Sequence, residues 1–349
     1  MIHPAPKVVV VGGGIMGACI AWNLAKAGAK VLMLEQHAEP ARGATQWSYG
    51  WVGTASVLPS EAPQAFALKQ TALREFAALE KELGALPYAA RGALLWGEND
   101  EETHQLVAEQ QAVGVTMSLV GQDAIRQLEP QLTTLPQCAA WAPDDFAIEP
   151  IMLTQQLLDA AKGLGAEVRY NAVVERLLVQ GGTVVGVATP QGNIQAQAVV
   201  LTNGAAVKTL LSDVGVDAPV YEAPAVLMRW KTDNAGVRHL VCANDLELRP
   251  DLQGGIVIAT DYPEEGEAGL EALVQTVKAR LQQLITPAPS LELRGMAGAR
   301  RPLVEGGMPY RKKLSNLSNV YTLVAHPGII LSPYLARLSA EQIIEVFSF

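Results

Sequence analysis

The chain has 349 residues, enough for about two domains, and 49% are hydrophobic against 17% charged, which leaves little for solvated tails. A net charge of −9 argues against a nucleic-acid partner, whose phosphates demand a basic face. Cys19, Cys138 and Cys242 are far apart and form no CxxC pair, so neither a disulfide framework nor a metal centre is expected.

In chain order, the amino terminus runs directly into a strand, without a charged leader, and no apolar run reaches the ~20 residues that span a bilayer. The expectation is a cytoplasmic protein with no integral membrane segment. Val8–Val11 is a continuous β-branched run, suited to a parallel strand buried on both faces. Gly12, Gly14 and Gly17 follow with the spacing GxGxxG. The pattern then predicts a helix over 18–27 stopped by Gly28, and a second strand over 31–34 ending at Glu35.

Each of these residues has a physical task. Gly12 permits the tight turn, Gly14 lets backbone approach a pyrophosphate, and Gly17 lets helix and strand pack closely. Ile15 and Met16 place helix N–H groups at the phosphates, where the dipole is positive. Glu35, followed by Gln36, offers a carboxylate to ribose hydroxyls and disfavours NADP, whose 2′-phosphate would meet it. FAD and NAD both remain open on this segment.

Next comes "RGATQWSYGW", Arg42 to Trp51, small and polar at its start and aromatic at its end. Trp47, Tyr49 and Trp51 alternate, so in an extended chain they project to one side. They are expected to border a substrate cavity. Further on, "FAIEP" (Phe146–Pro150) opens a helix over 151–164. The segment after it reads as a meander hinged at Gly181–Gly182 and 191–193, ending in the buried run Ala198–Leu201 and the turn Asn203–Gly204–Ala205. A helix with Leu270, Leu273, Val274, Val277, Leu281 and Leu284 in register is followed by "GARRP" (Gly298–Pro302). "AHPGIILSPYLARL" (Ala325–Leu338) precedes the end of the chain, with Ser332–Pro333 read as the start of the last helix.

Together, the dinucleotide unit, Arg42–Gly43–Ala44–Thr45, the meander, Arg301–Pro302 and the carboxy-terminal loop resemble the D-amino-acid oxidase family of flavoproteins. That family includes glycine oxidase, sarcosine oxidase and D-amino-acid dehydrogenase. The resemblance implies an α/β fold: a Rossmann-like FAD-binding domain of the glutathione-reductase type with a discontinuous, antiparallel-sheet substrate domain. The boundaries expected are 1–85, 141–212 and 293–349 for the first, and 86–140 and 213–292 for the second. It further implies an FAD-dependent oxidase or dehydrogenase acting on the C–N bond of an amino acid or secondary amine. An NAD-dependent dehydrogenase is the weaker alternative. A flavin-binding subunit that is active only within a hetero-oligomer is another, and a homo-oligomer is left open.

The same resemblance distributes roles. Backbone of Val173 or Val174 is expected at the adenine, Asn203, Gly204 and Ala205 facing the cofactor, and Arg42 to Ser48 wrapped along pyrophosphate and ribitol. Gln46 stands where some relatives carry a linking histidine, so non-covalent FAD is expected. Arg301 is the candidate for the substrate carboxylate, because guanidinium forms a fixed bidentate fork. Arg300 is its neighbour on the cofactor side. Tyr49, Tyr221 and Tyr262 are candidate assistants, with Trp51 as a cavity wall. His326, Pro327, Gly328, Ile329, Ile330 and Leu331 form the loop expected to aim backbone N–H groups at the flavin. The family's Asp–Gly after Arg–Pro is replaced by Gly306–Gly307, and its apolar turn by Tyr310–Arg311–Lys312, which predicts a different treatment of the cofactor's edge.

Overall fold

In the computed structural model, residues 8–234, 236–244, 246–314 and 317–347 are described. Val8–Val11 forms β1, pairing in parallel with β2 (Val31–Leu34) on one side and β11 (Ala198–Leu201) on the other. Val8 and Val10 pack into one core cluster, Val9 and Val11 into another, which is why the run is apolar without alternation. The six-stranded sheet is completed by β7 (Glu167–Arg169), β18 (Val320–Val324) and the antiparallel edge strand β17 (Tyr310–Lys313).

On one face of this sheet lie α1 (Ile15–Lys26), α5 (Pro150–Gly163) and α8 (Gly328–Phe347), with α2 (Pro63–Leu83) packed on α8. α1 is apolar around nearly its whole circumference because it is enclosed by sheet, α5 and α8. On the other face sit α6 (Val207–Ser212) and the hairpin sheet of β8 (Arg176–Gln180), β9 (Thr183–Thr189) and β10 (Gly192–Gln195). Gly181 and Gly182 both have positive φ, as the tight β8–β9 turn requires.

A nine-stranded sheet forms the second layer. Its order is β16 (Leu291–Val304), β12 (Val220–Thr232), β15 (Ile256–Thr260), β14 (Leu246–Pro250), β13 (Leu240–Ala243), β4 (Tyr88–Trp96), β6 (Cys138–Ile148) and β3 (Trp51–Val52), with β5 (Ser118–Gly121) also on β6. The helices α3 (Asp100–Ala112), α4 (Gln122–Leu128) and α7 (Leu270–Leu284) belong to the inserted segments. The pairing departs from a purely antiparallel sheet at one place, where β13 runs parallel to β4. This sheet also takes Trp51–Val52, residues 141–148 and residues 293–304 of β16 from segments expected in the nucleotide-binding domain. Both halves therefore meet along the cavity that lies between them.

Two helix starts differ from the sequence reading. α1 begins at Ile15, directly after Gly14, so Gly17 lies inside its first turn. α8 begins at Gly328, and Pro333 lies within it rather than at its start. Proline lacks an N–H, so it cannot serve the carbonyl four residues back; the Ser332 hydroxyl donates to that Ile329 carbonyl instead, at 2.9 Å. No helix among the described residues is long and apolar enough to cross a membrane.

Candidate active site

The amino-terminal turn is held open by contacts that only glycine allows. A Cβ on Gly12, whose φ is +104°, would lie 2.9 Å from the Asn203 Cα, and one on Gly17 would collide with the Gly12 carbonyl. A Cβ on Gly14 would meet Thr45 Oγ1 at 3.0 Å. The same hydroxyl accepts from Ile15 N–H at 3.2 Å, so Thr45 sits over the exposed start of α1. Glu35 is buried, and its carboxylate accepts from Gly13 N–H at 2.6 Å and His37 N–H at 2.9 Å. This fixes the acid at the end of β2, beside the glycine turn.

From this cradle a cavity of about 460 Å³ runs beneath the nine-stranded sheet to the start of α8. Gly12, Gly14, Ile15, Met16, Glu35, Gln36, Gly43, Ala44, Thr45, Trp47, Ser48, Val174, Asn203 and Gly204 line it. So do Tyr49, Trp51, Arg301, His326, Pro327, Gly328, Ile329 and Ile330. Thus Trp47, Tyr49 and Trp51 all reach the cavity, with the Tyr49 and Trp51 rings 6.2 Å apart.

Other candidates lie elsewhere. Gly17 is at the α1–β1 contact, and Leu331 is buried behind the lining. Arg42 faces solvent and pairs with Glu39, and Gln46 bonds back to the Arg42 carbonyl at 2.8 Å. Val173 is exposed, while its neighbour Val174 lines the cavity; Ala205 packs against the core below β11. Arg300 is exposed and bonds Glu222 at 3.0 Å, because consecutive residues of β16 point to opposite faces. Tyr221 is 47% exposed, and Tyr262 packs at the cluster around Trp230 and against Gly298. The exposed turn Gly306–Gly307 and the strand Tyr310–Lys313 are also outside the lining.

Several side chains that the sequence did not single out are brought to the same place. Lys69 of α2 and Glu247 of β14 both line the cavity. Burial pushes the Lys69 ammonium below its ordinary range, with Asp145 opposing, and pushes the Glu247 carboxyl up to about 7, helped by Asp261 and opposed by Arg301. Asp145, buried behind Trp51, accepts from the Trp51 indole N–H at 2.7 Å and from Ala55 N–H at 3.0 Å. Burial pushes its carboxyl up to about 6, with the Trp51, Ala55 and Thr54 donors holding it down. His326 is depressed to about 4 by burial, then by Arg301 and Lys69, so it is neutral at pH 7.

Behind the aromatic wall is a buried charge network. Arg249 is fully buried; its Nε donates to the Tyr49 carbonyl at 2.7 Å and its guanidinium pairs with Glu149 at 3.2 Å. Glu149, at the start of α5, also pairs with Arg229 at 2.6 Å, and Arg229 with Asp251 at 2.9 Å. The network has two cations and two anions, and it ties α5 to β12, β14 and the aromatic loop.

The cavity also holds unmatched polar atoms. Asn203 Oδ1, Tyr49 Oη and Arg301 Nε are buried, line it, and have no hydrogen-bond partner among the described residues. Buried polar groups are rarely left so without a ligand to meet them. A glycine-lined helix start, a buried acid at the end of β2 and orphaned donors at the far end fit an elongated dinucleotide with a polar substrate beyond it.

Comparison with known proteins agrees. The model of the DAO family, described as FAD dependent oxidoreductase, matches residues 7–342. 4-Methylaminobutanoate oxidase (formaldehyde-forming) of Paenarthrobacter nicotinovorans is 30% identical over 249 residues, covering 69% of this chain and 29% of that protein. Glycine oxidase of Bacillus licheniformis is 23% identical over 352 residues, covering 96% and 92%. The chain therefore spans less than a third of the first relative's length and nearly all of the second's. Among solved structures, glycine oxidase from Bacillus cereus ATCC 14579 superposes with a TM-score of 0.83 at 21% identity, over 98% of this chain and 95% of that one. With the family model spanning nearly the whole chain, this protein belongs to the DAO family of FAD-dependent oxidoreductases.

Proposed function

We propose that the protein oxidises the C–N bond of an amino acid or secondary amine, using non-covalently held FAD, to an imine that hydrolyses in water. The observation that carries this reading is Arg301: a guanidinium with a buried, unpartnered Nε, in the same cavity as the dinucleotide cradle. When bound, FAD supplies the two-electron acceptor for hydride leaving the substrate carbon.

The chain's own residues do the rest. The start of α1, with Thr45, would hold the pyrophosphate, and Glu35 the ribose hydroxyls. Arg301 Nη2 is already fixed by the Pro224 carbonyl at 3.0 Å, which leaves its Nε edge to take a substrate carboxylate. Tyr49 stays a neutral phenol, raised by burial and by Glu247, and so remains a hydrogen-bond donor. The start of α8, with neutral His326, presents N–H groups where reduction would build negative charge. Gln46, bonded to Arg42, presents no side chain that forms a covalent link to flavin.

The relatives' names set the range of substrates from glycine to 4-methylaminobutanoate, both amines that carry a carboxylate. The test is an anaerobic screen of amino acids and amines against the reconstituted protein, read as loss of flavin absorbance. Arg301→Met should raise KM for a carboxylate substrate by about 10- to 150-fold while flavin content is unchanged, since a charge-assisted contact is worth roughly 1.5–3 kcal/mol. A preparation that takes up no FAD, or whose flavin no amine reduces, refutes the reading.

A further inference from the structure

The carboxylate of Glu247 faces the cavity. Among the described residues it makes no hydrogen bond and no ion pair, whereas the buried acids nearby are matched: Glu35 by two backbone N–H groups, Asp145 by Trp51 and Ala55, Glu149 by Arg229 and Arg249. Its placement follows from strand alternation. Leu246 and Leu248 pack into the core on the far face of β14, and Glu247 and Arg249 turn to the near face. Arg249 is consumed by Tyr49 and Glu149; Glu247 is left open.

Its position relative to Arg301 is set by register. Glu247 pairs with Ala259, Ala259 with Leu227 on β12, and four residues back along β12 Ala223 pairs with Arg301. Three strand spacings across and four residues along put the two backbones on the order of 20 Å apart, a distance that the two long side chains shorten from both ends. Between them the cavity wall is made of Ala225, Leu227 and Ala259, which offer no polar group. One end of this floor thus carries a cation and the other an anion, with an apolar strip between. An α-amino acid carries its ammonium and carboxylate on one carbon, a far shorter span than the separation of the two backbones.

We infer that Glu247 is a specificity-determining residue that receives a cationic group of the substrate several bonds away from the carboxylate held by Arg301. The substrate class is therefore an amine-bearing carboxylate that carries a second, distal ammonium or guanidinium besides the amine that is oxidised, rather than glycine or another small α-amino acid. This rests on the reading that Arg301 holds a substrate carboxylate.

The test compares inert pairs that differ only in the distal cation, pentanoate against 5-aminopentanoate and hexanoate against 6-aminohexanoate, by calorimetric titration of the FAD-reconstituted protein at pH 8. The amino acid should bind at least ten-fold more tightly than its parent acid in at least one pair. In Glu247→Gln the preference should fall to near one, and in Glu247→Asp, which keeps the charge, it should persist in part. Arg301→Met should weaken all four ligands together. A preference for the parent acids, a preference unchanged in Glu247→Gln, or no binding of any of the four overturns the inference. A protein whose flavin is reduced by amines yet shows no such preference fails this inference alone. One that shows the preference while no amine reduces its flavin fails the functional reading alone.

Discussion

On the β1 side the cavity wall is mostly backbone: glycines 12 and 14, backed by Gly17 at the α1–β1 contact, the start of α1, and a single acid whose oxygens are held by main-chain N–H groups. On the nine-stranded side the wall is side chains, Tyr49, Trp51, Glu247 and Arg301, steadied by buried charges that come from residues as far apart as 149 and 251. The first wall is assembled from about thirty consecutive residues, and its specificity is geometric. The second draws on distant segments, and its specificity is electrostatic. A backbone wall fails when anything is added to it; a wall of paired charges fails when one member is removed.

The largest expected effect tests the first half of that statement. Gly17→Ala places a Cβ against the Gly12 carbonyl and 2.7 Å from Thr202 Oγ1, and the Gly12 backbone has nowhere to move aside. The loss should exceed about 3 kcal/mol, the upper end of overpacking costs, with FAD retention lost as well. Gly43→Ala is the control: this glycine lines the cavity, but nothing lies within 4 Å of its Cβ. Its effect should stay within about 0.5 kcal/mol, as for a substitution that meets no neighbour. Chemical denaturation and bound-flavin absorbance check both variants, and equal losses would remove the distinction.

The second half is tested by subtraction. Arg249→Met removes the donor to the Tyr49 carbonyl and leaves Glu149 with Arg229 alone. Breaking one member of a buried network costs about 3–5 kcal/mol because the remaining charge stays buried. Adding Glu149→Gln to Arg249→Met should leave a total loss well short of the sum of the two single losses, since the pair is coupled. A single-variant loss below about 1 kcal/mol in denaturant titration would show the network to be ornamental to stability.

The same contrast explains what was legible in the sequence. β1, β2 and β11 were read with correct bounds, because a strand buried on both faces is apolar at every position and needs no choice of face. The aromatic alternation of Trp47, Tyr49 and Trp51 was legible for a related reason: three large side chains spaced by two residues have one side to share. Glu247 was not legible. In "LELRP" the leucines and charges alternate, and the ordinary reading sends the charged face to water; here that face looks into the cleft between the two halves. Lys69 sits on an amphipathic helix whose polar face is turned the same way, and Asp145 acquires its role only when β6 meets the Trp51 loop. Arg301 against Arg300 needed the strand phase, which neighbouring arginines cannot supply. The start of α8 was misplaced because proline is a good first-turn residue, and the compensating Ser332 bond to Ile329 is visible only once the helix is formed.

The smallest effect concerns His326, which both walls reach: it borders the start of α8 and feels Arg301 and Lys69. Its folded pKa of about 4 lies below the ordinary 6.5, so between these values the unfolded chain binds a proton that the folded chain refuses. Stability from this group is fully present above pH 6.5, declines as pH falls toward 4, and is lost below that, by at most about 3 kcal/mol. Glu247 acts with the opposite sign. Its folded pKa, raised to about 7, favours the folded state once the carboxyl is protonated, so its cost is felt at high pH and disappears on acidification. His326→Gln should therefore flatten the acid limb between pH 6.5 and 4, and Glu247→Gln should raise stability chiefly near and above pH 7. Urea titrations at pH 4.5, 6 and 8 separate the two. If His326→Gln leaves the acid limb unchanged, the histidine is not held neutral by its burial and the two cations, and the electrostatic account of the nine-stranded side loses the residue that joins it to the backbone wall.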